Sequence, residues 1–348
     1  MIETELAIWL SNTFPGHQLS APKLIAGDAS PRRYYRVAAR AGSDHHAIVA
    51  AISPPTEKNA EFIAVRQLLA DAGVRVPVLY AADVDAGFLA LEDLGDATLL
   101  PILASETVDD CYRDALSHLR CLACLNAADI ALPEYSRELL QSELNVFMDW
   151  FVNRLLVAVD EGNPEAPARR QIFSELSAVL LDSARAQPQV LVHRDFHSRN
   201  LMVLDDKQLA VIDFQDAVMG PVTYDPVSLL KDCYIAWPRE QQLAWLGEHQ
   251  QALTDAGLIA PVSTATFVRW FDLMGLQRHI KVLGVFARLS LRDNKHGYLD
   301  DLPLVLFYTR EALALYRHQI PQVAAFEAWF DAVLMPRIAS QPWYRQLP

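Results

Sequence analysis

Apolar and polar positions divide this chain into an opening part rich in short strands and a long remainder that repeats at helical spacing. Residues 2–11 place Ile2, Leu6 and the run 8–10 three to four positions apart, which predicts a packing helix ended at Pro15-Gly16. Residues 24–37 then read as a strand, a small-residue turn and a second strand, and 45–52 as another strand. Helical spacing returns over 57–72, with Phe62, Val65, Leu68 and Leu69 on one face and Gly73 closing the run. Segments 76–81 and 87–91 are expected as strands. From residue 96 the pattern predicts helices over 106–126, 138–158, 168–186, 224–236, 239–255, 264–290, 301–317 and 321–335, punctuated by proline and glycine. The interruption lies at 190–215, where apolar runs at 190–192, 201–204 and 209–212 enclose a polar loop and a turn at 205–207. A small antiparallel sheet followed by a larger, mainly helical part with an embedded hairpin is a two-lobed α+β architecture, divided here into 1–95 and 96–348.

Composition narrows the classes. A chain of 348 residues, 52% hydrophobic and 21% charged, is long enough for two substantial cores and has an ordinary globular balance. There is no internal repeat or low-complexity tract. A net charge of −13 argues against a nucleic-acid or anionic-membrane surface. Neither an apolar run of membrane-spanning length nor a basic segment leading into an apolar one is found, so a soluble, cytoplasmic protein is expected. The four cysteines suggest no disulfide framework. Cys121-x-x-Cys124 falls inside a predicted helix without a second ligand pair, and reads as a buried pair of small residues, not as a zinc or redox motif.

The chemistry is concentrated in the interruption. Asp195 is followed by Asn200 five residues on and by Asp213 thirteen further. Phosphoryl transfer from ATP asks for a carboxylate that orients the acceptor hydroxyl and for hard oxygen ligands to magnesium. Asp195 suits the first role, Asn200 and Asp213 the second. A hairpin after Asn200 returns the chain and brings Asp213 back to face it. His193 reads as an organiser of the loop backbone, not as a second base. Each group alone has a plain alternative in a solvated hairpin; the joint spacing between strands is what carries the catalytic reading. No Walker A pattern occurs.

His193-x-Asp195-x4-Asn200 resembles the H-x-D-x4-N loop of the aminoglycoside phosphotransferase and choline kinase group, and Ile212-Asp213-Phe214 resembles its I-D-F/W/Y element. The resemblance implies a protein-kinase-like fold, ATP and Mg2+ as cofactors, a nucleotide-binding first lobe and a second lobe holding the catalytic loop and substrate. It makes the turn with Gly27, Asp28 and Ser30 the ATP-covering turn. It places Glu92 and Leu94 in the interlobe linker that meets adenine, and has Asp225, whose position at a helix start already reads as a cap, brace the catalytic loop. One departure stands out. Kinase-like folds carry a lysine on the strand at 48–52, and this sequence has none there. Lys58 reads as a surface residue; Arg32 and Arg33 are the candidate substitutes, and Glu61 the nearest helix glutamate.

The acceptor is less legible. The runs 143–151 and 274–289 put Glu143, Trp150, Arg278 and His279 at helical spacing as candidate walls of a sugar pocket; the alternative is amphipathic helices facing water. These runs, with the wording of 28–36 and 193–200, resemble bacterial kinases acting on the anomeric C1 hydroxyl of N-acetylmuramate and N-acetylglucosamine in cell-wall recycling. Two rivals stay open. An aminoglycoside or other small-molecule phosphotransferase would share the motifs, although the basic groups at 278–281 suit an anionic or neutral sugar better than a polycation. A non-catalytic kinase-like binding module would explain the missing lysine, but not the intact Asp195, Asn200 and Asp213. The oligomeric state and the ranking of the two sugars are not encoded in any of these patterns.

Overall fold

A computed structural model describes residues 2–25, 31–125, 132–157 and 166–347. Gly27, Asp28 and Ser30 lie outside the described residues. The chain divides into two compact units, Met1–Ile102 with Arg199–Asp216, and Leu103–Ser198 with Ala217–Pro348.

The first unit is built on a six-stranded antiparallel sheet. Helix α1 (Ile2–Thr13) precedes β1 (Gln18–Leu19), β2 (Lys23–Leu24), β3 (Arg33–Ala41), β4 (Asp44–Ile52), β5 (Leu79–Asp83) and β6 (Phe88–Glu92), in the order β1-β3-β4-β6-β5 with β2 also on β3. Alternation along β3 and β4 turns Tyr35, Val37, Ala39, Ile48, Ala50 and Ile52 into a core shared with Leu6 and Leu10 of α1. Helix α2 (Asn59–Asp71) buries Phe62, Val65 and Leu69. Strands β8 (Leu201–Val203) and β9 (Leu209–Val211) form the hairpin read from the sequence, with Lys207 at φ 68 in its turn. The hairpin groups with this unit, not with the helical part where the sequence placed it. The reason is backbone pairing: Leu99 N–H donates to Leu201 O at 2.8 Å, Val203 N–H to Ala97 O at 2.8 Å and Val211 N–H to Arg75 O at 2.8 Å.

The second unit is helical around one short antiparallel pair, β7 (Gln189–Val192) with β10 (Val218–Pro221). The sequence pattern missed β10, whose four residues include Gly220 and Pro221 and show no alternation. Helices α3 (Val108–Ala123), α7 (Arg239–Asp255), α9 (Leu302–Tyr316) and α10 (Pro321–Trp329) fall within the predicted spans, while α4 (Arg137–Val146) and α5 (Ala166–Arg185) begin one and two residues before theirs. Three departures have local causes. The span 138–158 changes from α to π geometry at Phe147–Leu155, beside the point where α8 (Thr264–Asp293) comes closest. The span 224–236 stops early, as α6 (Tyr224–Leu230), because Lys231 turns out of helical backbone and into a buried charge cluster. Cys121 and Cys124 are half-buried and exposed, so the expectation of a buried pair is corrected. Helix α8 is the longest element at 30 residues, about 45 Å at 1.5 Å per residue. Ser263 caps it by accepting the Thr266 N–H at 3.1 Å, and Asn294 closes it at φ 56. Among the described residues no helix is long and apolar enough to cross a membrane.

Candidate active site

In the second unit the residues after β7 form a tight loop. Arg194 sits at φ 76, an uncommon backbone for a side-chain-bearing residue, and the turn it makes is held from several sides. The buried Asp225 carboxylate accepts the His193 N–H at 2.6 Å and the Arg194 N–H at 3.0 Å. His193 is itself buried, and its Nδ1 accepts the Asp195 N–H at 3.2 Å. Arg278 of α8 donates to the Arg194 carbonyl at 2.7 Å, and its guanidinium lies 3.8 Å from Asp195 Oδ1.

The Arg194 side chain leads into a buried ionic group. Glu143 of α4 receives Arg194 Nη2, Lys281 Nζ at 2.9 Å and the Tyr135 hydroxyl. Lys281 also donates to the Tyr224 hydroxyl at 3.0 Å. Burial acts to raise the Glu143 pKa, but Lys281 and Arg194 outweigh it and hold the group below its ordinary value. Asp195 presents a side chain 46% exposed. Desolvation would raise it, yet Lys281, Arg278, His197 and Arg194 pull it well below the usual carboxylate range. It is therefore ionised at any working pH. For Asp225, burial wins over its two backbone donors and pushes it up to about 7.

In the first unit the hairpin performs the return that the spacing required. Ile212 N–H donates to Asn200 O at 3.1 Å, and Asn200 Nδ2 lies 3.4 Å from Asp213 Oδ2. Asp213 holds φ 63, and its Oδ1 accepts from Gln215 Nε2 at 2.8 Å. Phe214 beside it stacks on Phe62 of α2 at 4.9 Å. A carboxylate and an amide oxygen, both hard donors, suit magnesium, which takes one or two protein ligands and completes its shell with water and phosphate oxygens. Among the described residues no group of three or more His, Cys, Asp and Glu is placed to bind a metal, so a fuller protein cage is not offered.

Other expected residues are placed as follows. Arg32 is buried, with Nε on Ser53 Oγ at 2.8 Å and Nη2 on the Glu57 carbonyl at 2.9 Å, while Arg33 lies 3.8 Å from Glu3. Lys58 pairs with Asp216 at 3.2 Å, three residues past Asp213. Glu92 accepts Arg75 at 2.5 Å and the Val78 N–H at 3.1 Å; Leu94 follows it in the connecting segment. Trp150 carries the Arg154 guanidinium 4.0 Å over its ring. His279 is buried, with Nε2 against the Lys231 carbonyl at 3.0 Å and its ring stacked on Tyr308 at 5.0 Å. Lys281, read from the sequence among the basic groups facing the acceptor, is bound instead to Glu143 and Tyr224. Sequence reasoning gave no role to Tyr135, Tyr224 or Asp232, which contact this machinery; their partners are distant in the chain, so no local spacing marks them.

A sheet with one packed helix, a helical unit, and an H-x-D-x4-N loop running into a hairpin that ends in I-D-F define a phosphotransferase of the kinase-like class. The profile of the phosphotransferase enzyme family matches residues 22–262, and the chain belongs to that family. It is 41% identical over 288 residues to an N-acetylmuramate/N-acetylglucosamine kinase of Pseudomonas putida, covering 83% of this chain and 82% of the relative. To the protein of that name in Neisseria meningitidis it is 36% identical, over 92% of this chain and 94% of the relative. A Plasmodium vivax ethanolamine kinase shares the fold, with a TM-score of 0.62 at 12% identity over 92% of this chain and 89% of its own.

Proposed function

We propose that this enzyme transfers the γ-phosphoryl group of ATP to the anomeric C1 hydroxyl of N-acetylmuramate and N-acetylglucosamine, giving the sugar 1-phosphate within the cytoplasm. The observation that carries the reading is Asp195: half exposed, held ionised by Lys281, Arg278 and Arg194, and fixed by a loop braced on its backbone. An anomeric hydroxyl is more acidic than an ordinary alcohol. A carboxylate of depressed basicity then needs only to orient it and accept its proton late, as a loose transition state allows.

In this reading the first unit takes the nucleotide and the second the acceptor. Asn200 and Asp213 hold magnesium, which when bound neutralises phosphate oxygens. Glu92 and Leu94 belong to the adenine side, with Gly27, Asp28, Ser30, Arg32 and Arg33 on the phosphate side. Glu143 and Arg278 keep the loop in place, and Trp150 is the aromatic face offered to the sugar. The identity to relatives named for these two sugars supports the acceptor class.

The test is ADP release across a panel containing N-acetylmuramate, N-acetylglucosamine and kanamycin, with phosphorus NMR of the product. Turnover of both amino sugars with phosphate on C1 is expected; turnover of kanamycin alone overturns the reading. Asp213→Ala should remove ADP production while the protein stays folded, and unchanged turnover would refute the magnesium assignment.

A further inference from the structure

We infer that Asp232 is a positioning residue for phosphoryl transfer: it fixes the loop between Asp195 and Asn200 by gripping Ser198. Ser198 lies three residues after Asp195 and two before Asn200. Its backbone N–H donates to Asp232 Oδ2 at 2.9 Å and its hydroxyl to the same oxygen at 2.5 Å, both residues being buried. The other carboxylate oxygen accepts the Tyr234 N–H at 3.2 Å. The Tyr234 ring meets His197 edge-on at 5.4 Å. The stretch 232–234 therefore holds two consecutive loop residues, by a route independent of Asp225 and Arg278. Charge-assisted bonds of this kind are about twice as strong as neutral ones.

Asp232 is in turn fixed by a charge cluster for which phosphoryl transfer has no use. The ammonium of the preceding Lys231 lies 3.2 Å from Asp272 and 3.0 Å from Glu311, and its carbonyl faces His279. Asp272 also binds Arg239 at 2.6 and 2.8 Å and the Tyr316 hydroxyl at 3.0 Å. Buried ion clusters contribute little net stability compared with apolar packing of the same volume. What this one does supply is a single location for Lys231, because any shift uncouples several bonds together. Asp272, Gly275 and His279 stand at helical spacing on the stripe of α8 facing Lys231. Helix α8 thus reaches the loop twice, directly through Arg278 and at one remove through Lys231, Asp232 and Ser198. This inference holds for any acceptor.

The test compares Asp232→Ala, Asp232→Asn and Ser198→Ala in the full-length enzyme, reading kcat, the KM values for ATP and sugar, melting temperature, and amide hydrogen exchange of residues 193–200. Misplacement of a catalytic group by about 1 Å costs on the order of 100-fold, so Asp232→Ala should lower kcat by roughly 10- to 100-fold with KM changed less than about twofold. Ser198→Ala keeps the backbone bond and should lose less. The double variant should be no worse than Asp232→Ala alone, since both remove one interaction. Exchange should accelerate within 193–200 ahead of the rest of the chain. A folded Asp232→Ala with normal kcat, or exchange that rises uniformly, overturns the inference. Should Asp232→Ala fail to fold, Ser198→Ala decides: unchanged kcat and unchanged local exchange overturn it. The exchange readout needs no acceptor, so it separates this claim from the sugar assignment.

Discussion

Asp195 lies in the catalytic loop and Asp225 in the helix that braces it, and their surroundings drive the two in opposite directions. Cations surround the first, while the second has only two backbone donors and the Arg278 charge to offset its burial. The ionised Asp225 is the form that accepts both N–H groups, so acid should loosen the loop. The expected outcome is a kcat that falls as pH drops through about 7, with that limb absent in Asp225→Asn. The stability effect has the opposite sign. A carboxyl whose folded pKa is raised holds its proton while the unfolded chain has already lost it. Wild-type stability relative to Asp225→Asn should therefore decline from the ordinary carboxylate range up to about pH 7 and level off above it. Urea unfolding at a series of pH values checks this. At this scale the sequence was informative where chemistry is local: Asp195, Asn200 and Asp213 follow one another within 19 residues. It was silent where partners are remote. Lys281 and Glu143 are more than a hundred positions apart, and Ser198 and Asp232 are 34 apart. His279 and Arg278, adjacent in the chain, point about 100° apart on a helix and serve different partners.

Among the elements, α8 was easy to foresee as a helix and hard to foresee as a hub. Its apolar periodicity marks the fold, but one face binds Lys231 while another reaches Arg194 and Glu143. Its close approach to the 143–155 segment rests on Gly284. A Cβ there would lie 2.5 Å from the Phe147 nitrogen and 2.6 Å from the Val146 carbonyl oxygen, where the π-helical stretch begins. Backbone atoms cannot yield as a flexible side chain would. Gly284→Ala is expected to destabilise by about 1–3 kcal/mol, as overpacking does, and to lower kcat by displacing Lys281 one turn away. Thermal unfolding with kinetics on the same sample tests both. The strand β10 illustrates the reverse problem, since four residues ending in Gly-Pro carry too little periodicity to be seen without their partner β7.

For the molecule as a whole, the buried charges tie four segments of the second unit together: the end of α6 through Lys231, α7 through Arg239, α8 through Asp272 and α9 through Glu311. Removing one partner strands the others. Asp272→Ala leaves Lys231 and Arg239 to share the single Glu311 carboxylate, at 3.0 and 3.9 Å, and removes the acceptor of the Tyr316 hydroxyl; breaking a buried ionic group in this way should cost about 3–5 kcal/mol, measurable as an earlier denaturant midpoint. The formal charge of −13 is spread without a basic tract, and gives no hint of this internal arrangement. The first unit is interrupted, being closed only by Arg199–Asp216 after Leu103–Ser198 has intervened. During synthesis on the ribosome its six-stranded sheet emerges early, while the separate β8–β9 ribbon is made only after α3, α4 and α5. The backbone groups of Arg75, Ala97 and Leu99 that pair with the ribbon must then wait for their partners, a window in which a nascent chain would draw on chaperones.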